Sequence, residues 1–195
     1  MEQLRERKTD SGEELPLHTD GANKVVDING RRVQLHDHDV DYVIIQCVTP
    51  APTGGETFII DGYRLVEQIR QTEPDLYRFL TGIDVDLDSS TGRADLTSVP
   101  PRVSRLVEWT RSGRMVVRAT HWAQPCLRFH GWEEHQAMLK HYSGLLRELG
   151  TRASHTLAEA GELVVLDNYR CAHGVRAHEG PRAANVLSCK SDEAW

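Results

Sequence analysis

Two short stretches, Leu17-His18-Thr19-Asp20-Gly21 and Asp167-Asn168-Tyr169-Arg170-Cys171-Ala172-His173-Gly174, carry most of the information about the fold of this chain. On a β-strand, side chains two residues apart share a face, so His18 and Asp20 are expected to point the same way. His173 follows a buried-strand pattern, and Gly174 permits a close approach of the backbone. Two imidazoles and one carboxylate form the ligand set of a facial non-haem iron site. We therefore predict a strand-rich fold that brings the two stretches together.

Short β-branched runs bounded by glycine and proline predict the strands. These runs cover residues 42–48, 57–60, 115–118, 126–129, 163–166 and 185–189. Asp61 suits the N-cap of a helix over 63–71, and Pro74 suits the first turn of a helix that ends at Gly82. The clearest helix covers 133–149, with Gly150 as its expected stop. Many short strands and few helices favour a mainly β fold, a sandwich or jelly-roll barrel with helices on one side.

The length of 195 residues fits one domain with a substantial core. Residues 1–14 are polar and are expected to form a mobile arm or a short surface helix. Residues 15–195 are expected to form the single jelly-roll domain. Within it, residues 83–130 form a variable lid or insert, because the part from 83 to 113 lacks a clean period and long loops are often functional.

Composition excludes several classes of partner. The formal net charge is −6, whereas a nucleic-acid-binding protein is more often basic. No apolar run is long enough to span a bilayer, and the N-terminus does not read as a secretory signal. The four cysteines show no Cys-x-x-Cys spacing, so we expect reduced thiols and a cytoplasmic protein without nucleic-acid or membrane partners.

Three further stretches complete a family pattern. They are Gln46-Cys47-Val48-Thr49-Pro50-Ala51-Pro52-Thr53-Gly54-Gly55-Glu56-Thr57, then Phe58-Ile59-Ile60-Asp61-Gly62-Tyr63, and the strand that starts at Ala160 and carries His173. With the His-x-Asp motif, the chain resembles the taurine dioxygenase and γ-butyrobetaine hydroxylase superfamily of Fe(II)/2-oxoglutarate dioxygenases. The resemblance covers about residues 15–190 and is weakest over 83–130. It implies a double-stranded β-helix, or jelly roll.

The resemblance also implies roles for individual residues. The iron ligands would be His18, Asp20 and His173, and Thr57 and Arg182 would hold the cosubstrate 2-oxoglutarate. A guanidinium suits the far carboxylate, because it binds it through two parallel hydrogen bonds. The charges of Fe(II), Asp20, Arg182 and 2-oxoglutarate then sum to zero, which a closed site tolerates.

Two arginines compete with Arg182 for the cosubstrate. Arg182 follows His173 at a shorter separation than is usual in the family, and Arg176 is the fallback although it lies close to His173. Arg128 matches an arginine-bearing strand of relatives and is a candidate for cosubstrate or substrate binding. Ala184 and Val186 occupy the stretch where many relatives have a second basic residue, which puts a substrate-anion contact there in doubt.

The implied activity is oxidation, most simply hydroxylation, of an unactivated C–H bond with O2, which releases succinate and CO2. A small polar or amino-acid-like metabolite is the expected substrate, and the carboxylate of Asp20 argues against halogenation. Two alternatives stay open: a zinc hydrolase or cupin-like metal protein with the same triad, and a non-catalytic binding protein. Relatives usually carry a segment before the His-x-Asp motif, so we expect a minimal or N-terminally shortened barrel, and a homodimer that covers its strand edges.

Other polar residues are weaker candidates. The cluster His36-Asp37-His38-Asp39-x-Asp41 is expected to be a solvated loop or strand entry. Arg170 is expected to orient its strand. Four rings are candidates for substrate contact: His121, Trp122, His130 and Trp132.

Overall fold

The structure is a computed structural model of the 195-residue chain. It describes residues 3–21, 23–28, 31–36, 39–87, 102–126, 131–156 and 159–190. For residues 3, 23–28 and 31–36 it describes the backbone alone.

The described residues form sixteen strands and three helices. The strands are β1 Gln3–Gly12, β2 Leu15–His18, β3 Asn23–Ile28, β4 Arg31–His36, β5 Tyr42–Thr49, β6 Thr53–Gly54, β7 Thr57–Asp61, β8 Val85–Asp86, β9 Val103–Ser104, β10 Val107–Trp109, β11 Met115–Val117, β12 Gln124–Pro125, β13 Ser154–Thr156, β14 Leu163–Asp167, β15 Cys171–Val175 and β16 His178–Cys189. The helices are α1 Gly62–Thr72, α2 Pro74–Gly82 and α3 Trp132–Arg152.

Two antiparallel sheets form the barrel. The larger has the strand order β1-β16-β5-β14, with β6 also paired to β16. The smaller has the order β13-β7-β15-β2. Buried side chains of the larger sheet, among them Val43, Ile45 and Val186, pack against Ile59 and Cys171 of the smaller one. The two sheets therefore face each other, and the predicted mainly β jelly roll with flanking helices is confirmed.

The three helices cover the outer face of the smaller sheet. Phe58 and Leu17 on that face join one apolar cluster with Leu65 of α1, Leu80 of α2 and Leu146 of α3. Asp61 caps α1, because its carboxylate accepts hydrogen bonds from the backbone N–H groups of Tyr63 and Arg64. The predicted helices and the predicted cap are confirmed. This apolar layer holds the smaller sheet, which carries two of the candidate metal ligands, against the rest of the domain.

Residues 3–12 differ from the expectation for the N-terminal residues 1–14. They form β1, which pairs with β16 from Gln3↔Ser188 to Gly12↔His178, so the expectation of a mobile arm or surface helix is wrong. The edge of β16 explains this result, since its unpaired backbone groups offer hydrogen bonds that a polar sequence can use as well as an apolar one. Polar composition alone therefore did not reveal the strand.

Three smaller expectations also change. Helix α3 continues past Gly150 to Arg152, and Gly150 packs closely against Phe58 instead of ending the helix. Within 83–113 the described residues include the short strands β8, β9 and β10. Strand β16 starts at His178, seven residues before the predicted start at 185. The expected strand over 126–129 falls largely outside the described residues.

The outer face of the larger sheet exposes apolar side chains, including Leu4, Leu163 and Val165. The four cysteines are unpaired, as expected. Among the described residues no helix is long and apolar enough to cross a membrane.

Candidate metal centre and cosubstrate cavity

Three predicted ligands converge where β2 meets β15. His173 lies directly opposite His18 in the register of these two strands, and their ring centroids are 4.5 Å apart. Asp20 follows β2 by two residues, and one donor atom each of His18, Asp20 and His173 lies within 4.8 Å of the others. The structure therefore brings together the three residues that the sequence predicted.

The backbone fixes the ring of His18. Its Nδ1 lies 2.9 Å from the carbonyl oxygen of Pro16, and because a carbonyl only accepts, Nδ1 carries the proton. In a neutral ring, Nε2 is then an acceptor, and it lies 3.4 Å from Oδ1 of Asp20. Two acceptors at that distance repel each other unless a proton or a cation lies between them. This arrangement fits a metal ion, and the carbonyl contact is the usual way of orienting a metal-binding histidine.

His173 is suited to metal binding by its burial. It is only 4% exposed, and its Nδ1 has no hydrogen-bond partner in the part of the chain that the structure describes. Burial, supported by the nearby charge of His18, lowers the pKa of His173 to about 4, although Asp20 opposes the shift. The ring is therefore neutral at neutral pH, which is the form that binds metals.

Asp20 supplies the anionic ligand. Burial raises the pKa of its carboxyl group, but the nearby imidazoles of His18 and His173 outweigh burial, so the pKa is lowered overall. Its carboxylate is thus ionised at neutral pH. Two imidazoles and one carboxylate on one side of a cavity leave further positions open for other ligands of the metal.

Asn168 holds Asp20 in place, and sequence reasoning missed it. Its Oδ1 accepts a hydrogen bond from the backbone N–H of Asp20, and its Nδ2 donates to the carbonyl oxygens of Asp20 and Val40, all at 2.9 Å. The side chain is buried. Asn168 stands in the quoted Asp-Asn-Tyr-Arg stretch, but a buried amide five residues before a histidine gives no signal of a partner 148 residues away.

The cavity beside the triad is lined by both sheets. Its walls comprise Arg7, Leu15, His18, Asp20, Ile45, His173, Val175, Arg182, Ala184 and Val186. The volume is about 40 Å³, so a five-carbon dianion enters only when the long side chains that line it swing aside. Arg182 thus lies in the same cavity as the triad, as predicted.

Of the candidate arginines, Arg182 is the one that the structure places in the cavity with the triad. Gly55, in the predicted Gly-Gly turn, has a φ of +78° and would place a Cβ 3.2 Å from Cδ of Arg182, so only glycine suits this packing. Arg176 is engaged elsewhere: it donates to Glu14 at 2.9 Å and to the Gly150 carbonyl at 2.6 Å. These contacts exclude Arg176 as the fallback, and Arg128 lies outside the described residues.

Thr57 lies on the correct face without lining the cavity. It is 2% exposed and pairs with Val175, which is a wall residue. Paired residues of neighbouring antiparallel strands share a face, so Thr57 faces the same side as His173, two positions along β15. Its cosubstrate role stays a prediction.

A second, more polar cavity is lined by Thr19 and Gly21 but by none of the triad residues. It measures about 180 Å³, and Thr19, Gly21, Arg102 and Trp122 contribute to its walls. It also contains Asp39, which is 4% exposed, so the expectation of a solvated loop is wrong for this residue. Arg118 explains the burial, since its Nε and Nη2 donate to Asp39 at 2.9 and 2.6 Å and compensate the charge. Asp41 is likewise buried, while the side chains of residues 36–38 lie outside the description.

The four rings that the sequence suggested as substrate contacts have different surroundings. Trp122 is half exposed and lines the polar cavity, as a substrate contact would. Nδ1 of His121 lies 2.7 Å from Oγ of Ser143 on α3, which gives it a structural partner. Trp132 is exposed at the start of α3, and His130 lies outside the described residues. Arg170 donates to Asp61 at 3.1 and 2.6 Å, consistent with an orienting role.

A jelly roll whose inner face carries a His-Asp-His cluster in one cavity with a half-buried arginine defines a metal-dependent protein of the double-stranded β-helix class. The family model described as "Taurine catabolism dioxygenase TauD, TfdA family" matches residues 7–189, so the chain belongs to this family.

Individual relatives are distant. The chain is 23% identical to gamma-butyrobetaine dioxygenase of Homo sapiens over 150 residues, which is 73% of this chain and 37% of that protein. The same protein of Pongo abelii gives the same values. The chain thus spans about a third of the length of these curated relatives.

Solved structures agree on the fold. The non-heme iron oxygenase OrfP in complex with Fe has a TM-score of 0.59 at 17% identity, with 93% of this chain and 52% of that chain covered. An asparagine oxygenase in complex with Fe(II), 2S,3S-3-hydroxyasparagine and succinate has a TM-score of 0.60 at 15% identity, with 91% and 50% covered. PvcB, an Fe, alpha-ketoglutarate dependent oxygenase, has a TM-score of 0.59 at 16% identity, with 97% and 64% covered.

Proposed function

We propose that the protein is an Fe(II)- and 2-oxoglutarate-dependent dioxygenase that oxidises, most simply by hydroxylation, an unactivated C–H bond of a small metabolite. The observation that carries the proposal is the convergence of His18, Asp20 and His173 within 4.8 Å in a cavity that also holds Arg182. A zinc hydrolase with the same triad has no use for that arginine. Family membership supports the same activity.

Iron, when bound, supplies the oxidising chemistry with O2 and 2-oxoglutarate, from which succinate and CO2 are released. The chain provides position and exclusion of water. His18, Asp20 and His173 hold one side of the metal, and Arg182 binds the far carboxylate of 2-oxoglutarate through a charge-assisted hydrogen bond. Apolar walls formed by Leu15, Ile45, Val175, Ala184 and Val186 keep water from the reacting side.

We infer that the substrate is a small polar or amino-acid-like metabolite. Relatives named for gamma-butyrobetaine and asparagine support this class. We further propose a cytoplasmic homodimer without nucleic-acid or membrane partners. A monomeric mass in light scattering would contradict the dimer.

Reconstitution tests the proposal. The protein is purified without oxygen, loaded with Fe(II) and mixed with 2-oxoglutarate, and the visible absorption of the iron–2-oxoglutarate chelate is recorded. Oxygen and a pool of polar metabolites are then added, and succinate is measured by mass spectrometry. We expect a chelate band without oxygen and succinate with it. Absence of both would refute the proposal, and hydrolysis of a substrate with zinc would favour the rival metal protein.

A further inference from the structure

Strand β1 places a second arginine, Arg7, in the cavity that the triad and Arg182 line. In the register with β16, Arg7 lies opposite Ala184, and Thr9 lies opposite Arg182. Directly opposed residues share a face of the sheet, and the side chains of a strand alternate between faces. Arg7 and Arg182 are therefore diagonal neighbours on the inner face, and both line the cavity of the triad.

Among the residues that the structure describes, neither guanidinium group has a carboxylate partner. No ion pair of Arg7 or Arg182 occurs within the described ranges, whereas the neighbouring Lys8 pairs with Glu6 at 2.9 Å. Burial is the main reason why the pKa of Arg182 is lowered, and the positive charge of Arg7 acts in the same direction, opposed by Cys47. Two cations thus share one cavity wall, and an anion between them would relieve their repulsion.

We propose, on the basis of the function proposed above, that Arg7 and Arg182 form a two-arginine site for the far carboxylate of 2-oxoglutarate. Diagonal neighbours across an antiparallel pair have Cα atoms roughly 7–8 Å apart, a gap that two long side chains bridge through one carboxylate. That group has two oxygens with about four acceptor positions, so it accepts from both guanidinium groups.

Ala184 lies directly opposite Arg7 in the register, and its small side chain leaves room beside it for the longer arginine side chain.

Binding without turnover tests the site. Mn(II)-loaded protein is titrated with 2-oxoglutarate under nitrogen by calorimetry, for the wild type, Arg7→Gln, Arg182→Gln and the double variant. We expect Arg7→Gln to weaken binding about 10-fold and Arg182→Gln about 100-fold, the range of charge-assisted hydrogen bonds. The double variant should lose less than the product of the two, because both groups hold one carboxylate.

Two controls isolate the far carboxylate. Lys8→Gln removes the same charge from the opposite face of β1, and its affinity should stay within about twofold of the wild type. The probe 2-oxobutanoate keeps the chelating end but lacks the far carboxylate, so Arg7→Gln should leave its affinity unchanged. Arg7→Lys keeps the charge without the fork and should restore part of the affinity.

The outcomes separate the inference from the function on which it rests. If the wild type binds 2-oxoglutarate and Arg7→Gln binds it equally well, the two-arginine site is refuted while the proposed function stands. An equal loss for 2-oxobutanoate would also refute it, since the effect would not belong to the far carboxylate. If the wild type binds no 2-oxoglutarate at all, the proposed function fails first.

Discussion

At the triad end of the cavity, hydrogen bonds hold two of the three ligands in place, whereas at the arginine end two long side chains project without a carboxylate partner among the described residues. His18 is held by the Pro16 carbonyl, and Asp20 by the amide of Asn168. Arg182 and Arg7 line the opposite wall from β16 and β1. The protein itself therefore orients two of the metal ligands, whereas the two guanidinium groups keep donors available for a ligand.

This difference follows from what each end must bind. A metal ion demands ligand atoms at defined distances, so rigid support of the ligands improves affinity. A carboxylate at the end of a flexible cosubstrate tolerates adjustment, and an arginine fork supplies it. We therefore expect substitutions at the triad end to change metal binding, and substitutions at the arginine end to change cosubstrate binding alone.

We expect the largest effect from His18→Ala, and Arg182→Gln is the variant with which it is compared. His18→Ala removes one of three ligands, so Mn(II) binding by calorimetry and Fe(II)-dependent formation of succinate should both be lost. Arg182→Gln should keep Mn(II) binding and lose 2-oxoglutarate. His155→Ala, an exposed histidine on β13, is the matched control and should behave like the wild type. If Arg182→Gln also lost the metal, the two ends would not be separable.

Asp39→Asn probes the buried ion pairs in the wall of the polar cavity. Burial raises the pKa of Asp39, but Arg118 and Arg102 lower it below its usual value overall. A lowered folded-state pKa stabilises the protein above the unfolded value of about 3.9, and this contribution is lost as pH falls through the folded value. The substitution should cost about 3 kcal/mol at pH 7, because Arg118 remains buried without this partner.

Urea unfolding at several pH values measures this effect. The loss caused by Asp39→Asn should shrink as pH falls below about 4, since the unfolded wild-type chain then takes up a proton that the folded protein does not yet bind. Asp75→Asn removes the acid of an exposed pair with Arg78 and should cost less than about 1 kcal/mol. If the loss of unfolding free energy in Asp39→Asn did not change with pH, the shape of the side chain and not its charge would matter at this position.

Asn168→Ala tests whether the triad end is rigid because of its support. The substitution leaves the Asp20 N–H and two carbonyl oxygens without their partner, which should cost about 2 kcal/mol of stability and weaken Mn(II) binding about tenfold. Asn185→Ala is the control, because the Asn185 amide makes one bond of 3.1 Å to Gln46. Lost stability with unchanged metal affinity would assign Asn168 a purely structural role.

The sequence predicted the residues that stand in local patterns and missed those whose partners are distant in the chain. His18, Asp20 and His173 were predicted correctly as neighbours because strand alternation and ordered motifs are local signals. The cap at Asp61 and the three helices were predicted for the same reason. Asn168 and Arg7 were missed, because each acts on a residue more than a hundred positions away and neither stands in a distinctive local pattern.

The errors have physical causes as well. Polar composition suggested an arm for residues 3–12, but edge strands gain their stability from backbone hydrogen bonds and do not need an apolar face. Asp39 was expected in solvent because it stands in a dense cluster of histidines and acids, and its burial depends on Arg118, which lies 79 residues away. Long-range pairing of charges and strands is the information that a single sequence does not display.

The smallest expected effect concerns Thr57, which shares the inner face with His173 but does not line the cavity. Thr57→Val keeps the shape and removes one hydroxyl group. If that hydroxyl donates to 2-oxoglutarate, the affinity should fall about fivefold, the value of one ordinary hydrogen bond, while Mn(II) binding stays constant. Thr72→Val, on the exposed surface of α1, is the control. Unchanged 2-oxoglutarate affinity in Thr57→Val would leave arginine side chains as the cosubstrate's anchors, and would place the whole adjustable end of the cavity on β1 and β16.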